Sequence, residues 1–152
     1  MNTLKFLEHL ESWCNMAKFG IEMPDEFIKK LERLDKYDEL AKKMLDKAAP
    51  VLVGTMKHEI SRLNEWSQDG ELRDSIVAAK PKKNDFGYFV SVGPKTGSKD
   101  SEGVRNGEKL AYMEYGTSKM DPHPVLDRAK MAAENRVIQI MQDVFDEEAG
   151  AE

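Results

Sequence analysis

The sequence predicts an α+β fold: long N-terminal helices and a C-terminal helix packed on a small antiparallel sheet, with a long flexible loop between strands. Three observations carry that expectation. From Tyr37 onward, Leu40, Ala41, Met44, Leu45, Ala48, Leu52, Met56, Ile60 and Leu63 recur at the helical period. Phe86, Tyr88, Val90 and Val92 alternate with Gly87, Phe89 and Ser91, which is the period-2 signature of a half-buried strand. Near the C-terminus, Leu126, Ala129, Ala133, Val137, Ile140 and Val144 form a second helical stripe. The two long stripes are the ones able to cover one face of a sheet.

Taken in order, residues 2–16 place Leu4, Leu7, Leu10 and Trp13 with Cys14 on one helical face. Phe19, Ile21 and Met23 then alternate with polar residues in a brief extended link that ends at Pro24. Pro24-Asp25-Glu26 suits a helix start, with proline first and acids near the positive end of the dipole. That helix runs to about Leu34, and Asp35 caps the next. The long helix from Tyr37 should end near Trp66. Pro50 should kink or break it, because proline removes the hydrogen bond to residue 46 and crowds that carbonyl.

Three strands are expected after it: Leu72–Lys80 closed by Pro81, the alternating segment around Val90, and Leu110–Tyr115. Lys82-Lys83-Asn84-Asp85 reads as a hairpin loop between the first two. Residues 93–109 hold four glycines and a single aliphatic side chain, Val104. A loop of that length is either mobile or ordered on a partner. A turn on Gly116-Thr117-Ser118 follows, then a stiff corner, Asp121-Pro122-His123-Pro124, in which both prolines fix φ. Pro124 leads the last helix to about Phe145. The acids beyond Asp143 oppose the helix dipole, so the last turn should fray and residues 148–152 should form a disordered acidic tail.

Length fits one domain, with an extension helix over 1–19 and the body over 20–147. The chain is 40% hydrophobic and 34% charged. No apolar run approaches the ~20 residues that span a bilayer. The start, with acids inside MNTLKFLEHLESW and no small-residue cleavage site, does not read as a secretory signal. A single cysteine, Cys14, excludes an internal disulfide framework and a cysteine zinc site. The net charge of −5 argues against a general duplex-DNA binder, which needs a basic face.

No cofactor or metal motif is present. His9, His58 and His123 lack ligand spacing, and no phosphate loop, dinucleotide fingerprint or nucleophile elbow occurs. Glu114, Asp121 and His123 are the only set that could be offered as an acid–base cluster. The alternative is structural: Glu114 as a strand-end hydrogen-bond acceptor, Asp121 as a turn residue and His123 as an elbow side chain. Arg73, Lys80, Lys82 and Lys83 cluster around the first hairpin, either as solvated charge or facing an acidic neighbour or DNA in a channel.

Several of these segments together resemble the tail-component, or neck, family of tailed bacteriophages. The segments are Gly70-Glu71-Leu72-Arg73-Asp74-Ser75-Ile76, Tyr88-Phe89-Val90-Ser91-Val92-Gly93, Glu114-Tyr115-Gly116-Thr117 and His123-Pro124, in that order after a long helix. The resemblance covers roughly residues 20–147. Trp66-Ser67-Gln68-Asp69 replaces the usual proline-containing approach to the first strand, and residues 1–19 have no counterpart.

The resemblance implies a virion structural protein with no enzymatic activity and no cofactor. It implies homo-oligomeric rings, commonly six-fold, at the neck joining the DNA-filled head to the tail. The tail terminator that caps the tail tube is the alternative position. Implied partners are the adjacent head–tail connector or stopper and the terminator or tube proteins. DNA only passes through the lumen, no membrane is involved, and the subunit waits in the host cytoplasm before assembly. The candidate contact residues are Arg73, Lys82, Lys83, Lys95, Lys99, Arg105, Glu114, Tyr115, Gly116, Thr117, His123 and Pro124.

Overall fold

The computed structural model describes residues 19–22, 37–63 and 70–149. The helices expected over 2–16 and 24–34, the Asp35 cap, Trp13, Cys14 and Trp66 lie outside the described residues. Strand β1 (Phe19–Glu22) is followed by helix α1 (Tyr37–Ser61), the short helix α2 (Glu71–Ser75), and strands β2 (Ile76–Ala78), β3 (Lys82–Asn84) and β4 (Gly87–Pro94). Helices α3 (Asn106–Tyr115) and α4 (Val125–Ala149) complete the fold. The α+β class expected from the sequence is the class observed.

Helix α1 is the centre of the molecule. It packs against α4 on one side and against β4 and β2 on the other. Its buried face is wide: Leu40, Ala41, Met44, Leu45, Ala48, Ala49, Leu52, Met56 and Ile60 are all withdrawn from solvent. Pro50 lies inside α1 on its exposed side and does not break it. An interior proline costs about 3 kcal/mol. Each large buried side chain on this face returns about 1.5–3 kcal/mol, so packing outweighs that loss. The helix ends at Ser61, short of Trp66. Its last turn tightens, with Arg62 N–H donating to the His58 carbonyl at 3.1 Å and Leu63 N–H to that of Ile60 at 3.1 Å.

The sheet is built around β4, and every pairing is antiparallel. On one side β1 runs from Phe19 opposite Val92 to Glu22 opposite Phe89. On the other side β2 and β3 pair with β4 in succession, Ile76 opposite Pro94 and Lys82 opposite Phe89. Tyr88, Val90 and Val92 of β4 are buried toward α1, while Phe89 and Ser91 point the other way and stay half-buried.

Three expectations about strands are corrected. Leu72 is the buried residue of helix α2, so the first strand begins only at Ile76. Gly70 at φ 70° starts that helix, and Ser75 Oγ donates back to the Leu72 carbonyl at 2.7 Å. Lys82–Asn84 is a strand and not a loop; pairing lapses near Pro81, which has no N–H to offer, and then resumes. The hairpin turn is correspondingly tight, with Phe86 N–H donating to Asn84 Oδ1 at 3.0 Å and Gly87 at φ 126°.

The segment expected as a third strand, Leu110–Tyr115, is helical. Its buried residues are Asn106, Leu110 and Met113, a spacing of four and three that a strand cannot place on one face. Tyr112 and Tyr115 occupy the opposite, exposed side.

The loop over 93–109 is accordingly shorter and is pinned. Asp100 is buried and accepts hydrogen bonds from the backbone N–H groups of Val104 at 2.7 Å and Glu102 at 3.0 Å. It also forms an ion pair with Lys109. Glu71 accepts the Ser101 N–H at 2.9 Å, which ties the loop to α2.

Helix α4 carries the expected stripe. Leu126, Ala129, Ala133, Val137 and Val144 are buried, with Met141 added, and Ile140 is half-buried against them. It continues to Ala149, past the expected end at Phe145. Glu148 near its end pairs with Lys43 of α1.

Candidate functional site

The corner between α3 and α4 is a structural joint. Gly116 ends α3 at φ 74° and ψ −177°, with its N–H donating to the Tyr112 carbonyl at 2.8 Å. Thr117 and Met120 then pair backbone to backbone, and Lys119 N–H donates to Thr117 Oγ1 at 3.2 Å. His123 N–H donates to the Met113 carbonyl at 2.6 Å, stitching the corner back onto α3. Pro124 precedes the first residue of α4, and its carbonyl accepts from Arg128 N–H at 3.3 Å.

Glu114 closes the joint from the other direction. Its Oε2 accepts the Leu126 N–H at 2.8 Å, in the first turn of α4. That N–H has no partner within its own helix, and a carboxylate there also complements the positive end of the dipole. Burial pushes the Glu114 carboxyl above the ordinary range; the α4 backbone N–H groups pull it back, and Asp127 pushes it further up. The carboxylate is thus occupied as a cap. Among the described residues, no hydrogen bond links Glu114, Asp121 and His123, and Asp121 is exposed. Of the three, Glu114 caps α4 through its side chain, and His123 is held by its backbone N–H.

The expected basic residues divide into two groups. Arg73 Nε lies 2.8 Å from Asp74 Oδ1 in an ion pair with its own neighbour. Lys83 sits 3.2 Å from Asp38 at the start of α1, and its ammonium lies over the Tyr88 ring at 5.1 Å. The Tyr88 hydroxyl and Lys83 together hold the Asp38 carboxyl below the usual range. Lys99 and Arg105 pair as a backbone bridge at the base of the pinned loop, and Arg105 lies 3.9 Å from Glu108. Of these side chains, Lys83 ties the hairpin to α1, while the pairs of Arg73 and Arg105 are local.

Lys82 and Lys95 belong to a different setting. Together with Lys80 they rim a trough of about 550 Å³ on the outer face of the sheet, whose floor includes Val77, Phe89 and Ser91. This is the face turned away from α1. Val77 is 42% exposed. None of the three lysines has an ion-pair partner among the described residues.

Other exposed apolar side chains stand apart from the trough. Phe86, at the tip of the β3–β4 turn, is 88% exposed. Tyr112 and Tyr115 mark the open side of α3, and Met131 and Ile138 that of α4. Tyr115 was among the contacts expected from the sequence; the trough floor was not. Its signal was present in the alternation of Phe89 and Ser91 with the buried valines, but the open face is defined only once α1 is seen to cover the other.

Among the described residues, no group of three or more His, Cys, Asp or Glu side chains could hold a metal ion. No helix among them is long and apolar enough to cross a membrane. Compared with known families, residues 25–116 match the HK97-gp10-like family, "Bacteriophage HK97-gp10, putative tail-component". No curated protein and no solved structure matches the chain significantly.

Proposed function

The chain belongs to the HK97-gp10-like family of phage tail components, and from that premise we propose that it is a ring-forming subunit of the neck, joining the DNA-filled head to the tail. As a tail component it is a structural protein of the virion. The observation that carries the finer reading is the unlikeness of its two sides. A basic-rimmed trough lies open on the sheet, and a helical layer ending in Asp143, Asp146 and Glu147 lies across the molecule. Unlike surfaces suit a head-to-tail contact, which closes into a ring when successive rotations add to a full turn. The partners on either side of the ring would be the connector or stopper of the head and the terminator or tube of the tail.

The test is electron microscopy of lysates from phage with this gene disrupted. Full heads beside free, finished tails are expected. Overlong or unterminated tails would move the protein to the terminator position. Normal infectious particles would refute both positions.

A further inference from the structure

Among the described residues nothing within the subunit pairs with the lysines of the trough, yet the chain carries an acidic surface of matching charge. The last turn of α4 contains no basic residue. Asp143, Asp146 and Glu147 are exposed there, at the negative end of the helix dipole. Lys43 of α1 pairs with Glu148 and lies within electrostatic reach of Glu147, while Gln142 donates to Asp146 at 2.6 Å.

Across the molecule, Lys80, Lys82 and Lys95 rim the trough. Helix α1 lies between α4 and the sheet, and Met141 and Val144 bury the end of α4 in the helical core. The two charged surfaces therefore face away from each other and cannot meet in one subunit.

We propose that the outer trough of the sheet binds the acidic C-terminal end of α4 from a second copy of this chain. The proposal rests on the ring reading above and names its contact. Val77 and Phe89 supply an apolar floor, so the contact gains burial as well as charge pairing. Because the trough and the acidic end lie on opposite sides of α1, two copies cannot exchange both contacts at once, and the contact runs head-to-tail. The lysines gain carboxylate partners, and the α4 terminus gains the cations that its own last turn lacks.

The experiment is a charge swap read by sedimentation velocity on the full chain at low and high salt. Lys82→Glu with Lys95→Glu is one variant; Asp143→Lys with Glu147→Lys is the other. All four side chains are exposed, and thermal melts check that each variant folds. Each variant alone should need about tenfold more protein than wild type to associate, given the cost of placing like charges in contact. An equimolar mixture should associate almost as wild type does, because every junction in an alternating ring then pairs opposite charges. Salt should weaken the wild-type contact. Should a reversal variant fail to fold, Lys82→Gln with Lys95→Gln should still weaken association, by less.

Three results would overturn the proposal: wild type monomeric at every concentration, association untouched by either variant, or a mixture no better than its parts. Loss of duplex-oligonucleotide binding in the lysine variant with unchanged self-association would also overturn it, assigning the trough to nucleic acid. The neck position is judged separately. Full heads beside free, finished tails in the disruption lysates would sustain it even if the swap failed, and normal particles would refute it even if the swap succeeded.

Discussion

Replacing Gly116 by alanine tests whether the α3–α4 joint is as constrained as it looks. Gly116 has φ 74° and ψ −177°, a region that residues with a Cβ occupy at a cost of about 1–3 kcal/mol. A Cβ there would lie 2.7 Å from the Met120 carbonyl oxygen and 2.9 Å from the Pro122 nitrogen. Both are backbone atoms, and one belongs to a proline, so the clash is relieved only by moving the corner. Shifts of that kind cost about 1–3 kcal/mol. Stiffening the unfolded chain returns only about 0.4–1 kcal/mol. The net loss should be about 1–5 kcal/mol, which at about 2–4 °C per kcal/mol for a domain of this size lowers the melting temperature by about 2–20 °C. The assay is thermal unfolding followed by circular dichroism, with urea titration as a second measure. Gly54→Ala is the matched control: nothing lies within 4 Å of its added Cβ. It sits in α1, where alanine should stabilise by about 0.5–1 kcal/mol. A Gly116→Ala protein that melts with the wild type would refute the strain argument and the account of the joint.

Further outcomes are expected elsewhere. Glu114→Leu leaves the Leu126 N–H without its acceptor and should cost about 1–2 kcal/mol, the usual loss for a helix cap; Glu114→Gln, which keeps an acceptor, should cost less in the same melt. Because burial raises the Glu114 carboxyl in the folded chain, its contribution favours folding at low pH and is lost as pH rises through that raised value. The Gln variant should lack this component of the stability–pH curve. Asp100 has the opposite sign: Lys109 and the loop N–H groups hold its carboxyl low, so its contribution is complete above the ordinary aspartate value of 3.8 and is lost as pH falls through the lowered one. Asp100→Ala should release residues 100–106, seen as faster amide exchange across that segment than in the helices. Ile60→Ala, at a fully buried site, should cost about 2–5 kcal/mol, while Met131→Ala, at 76% exposure, should stay within about 0.5 kcal/mol by urea denaturation.

The elements legible in the sequence are those whose apolar period persists. Helices α1 and α4 repeat theirs over 25 residues each, and β4 alternates over its 8. Helix α3 is ambiguous in the sequence because Leu110 to Tyr115 offers both periods at once, with aromatics that favour strands; only the burial of Asn106, Leu110 and Met113 decides between them. The pinned loop is hidden in the sequence for a related reason. Its order depends on Asp100, one acid among many, meeting Lys109 and amide groups that the chain brings round to it.

At the site, Lys82 and Lys95 could be identified as cations, but their sharing one trough with Val77 and Phe89 depends on sheet register. Likewise Glu114 was legible as an acceptor. Its donor lies on the next helix, 12 residues away in sequence, and no local pattern names it.

The interrupted pairing at Pro81 governs what the subunit avoids. An exposed sheet border invites any passing extended chain to add itself, and such growth has no natural stop. Here the border beyond β4 is two runs of three residues, separated at Pro81 and studded with Lys80, Lys82 and Lys83. Along this border an incoming strand finds no more than three consecutive residues to bond, and it meets positive charge. Along this border the subunit is therefore guarded against growing through its backbone, which leaves side-chain surfaces to select any neighbour.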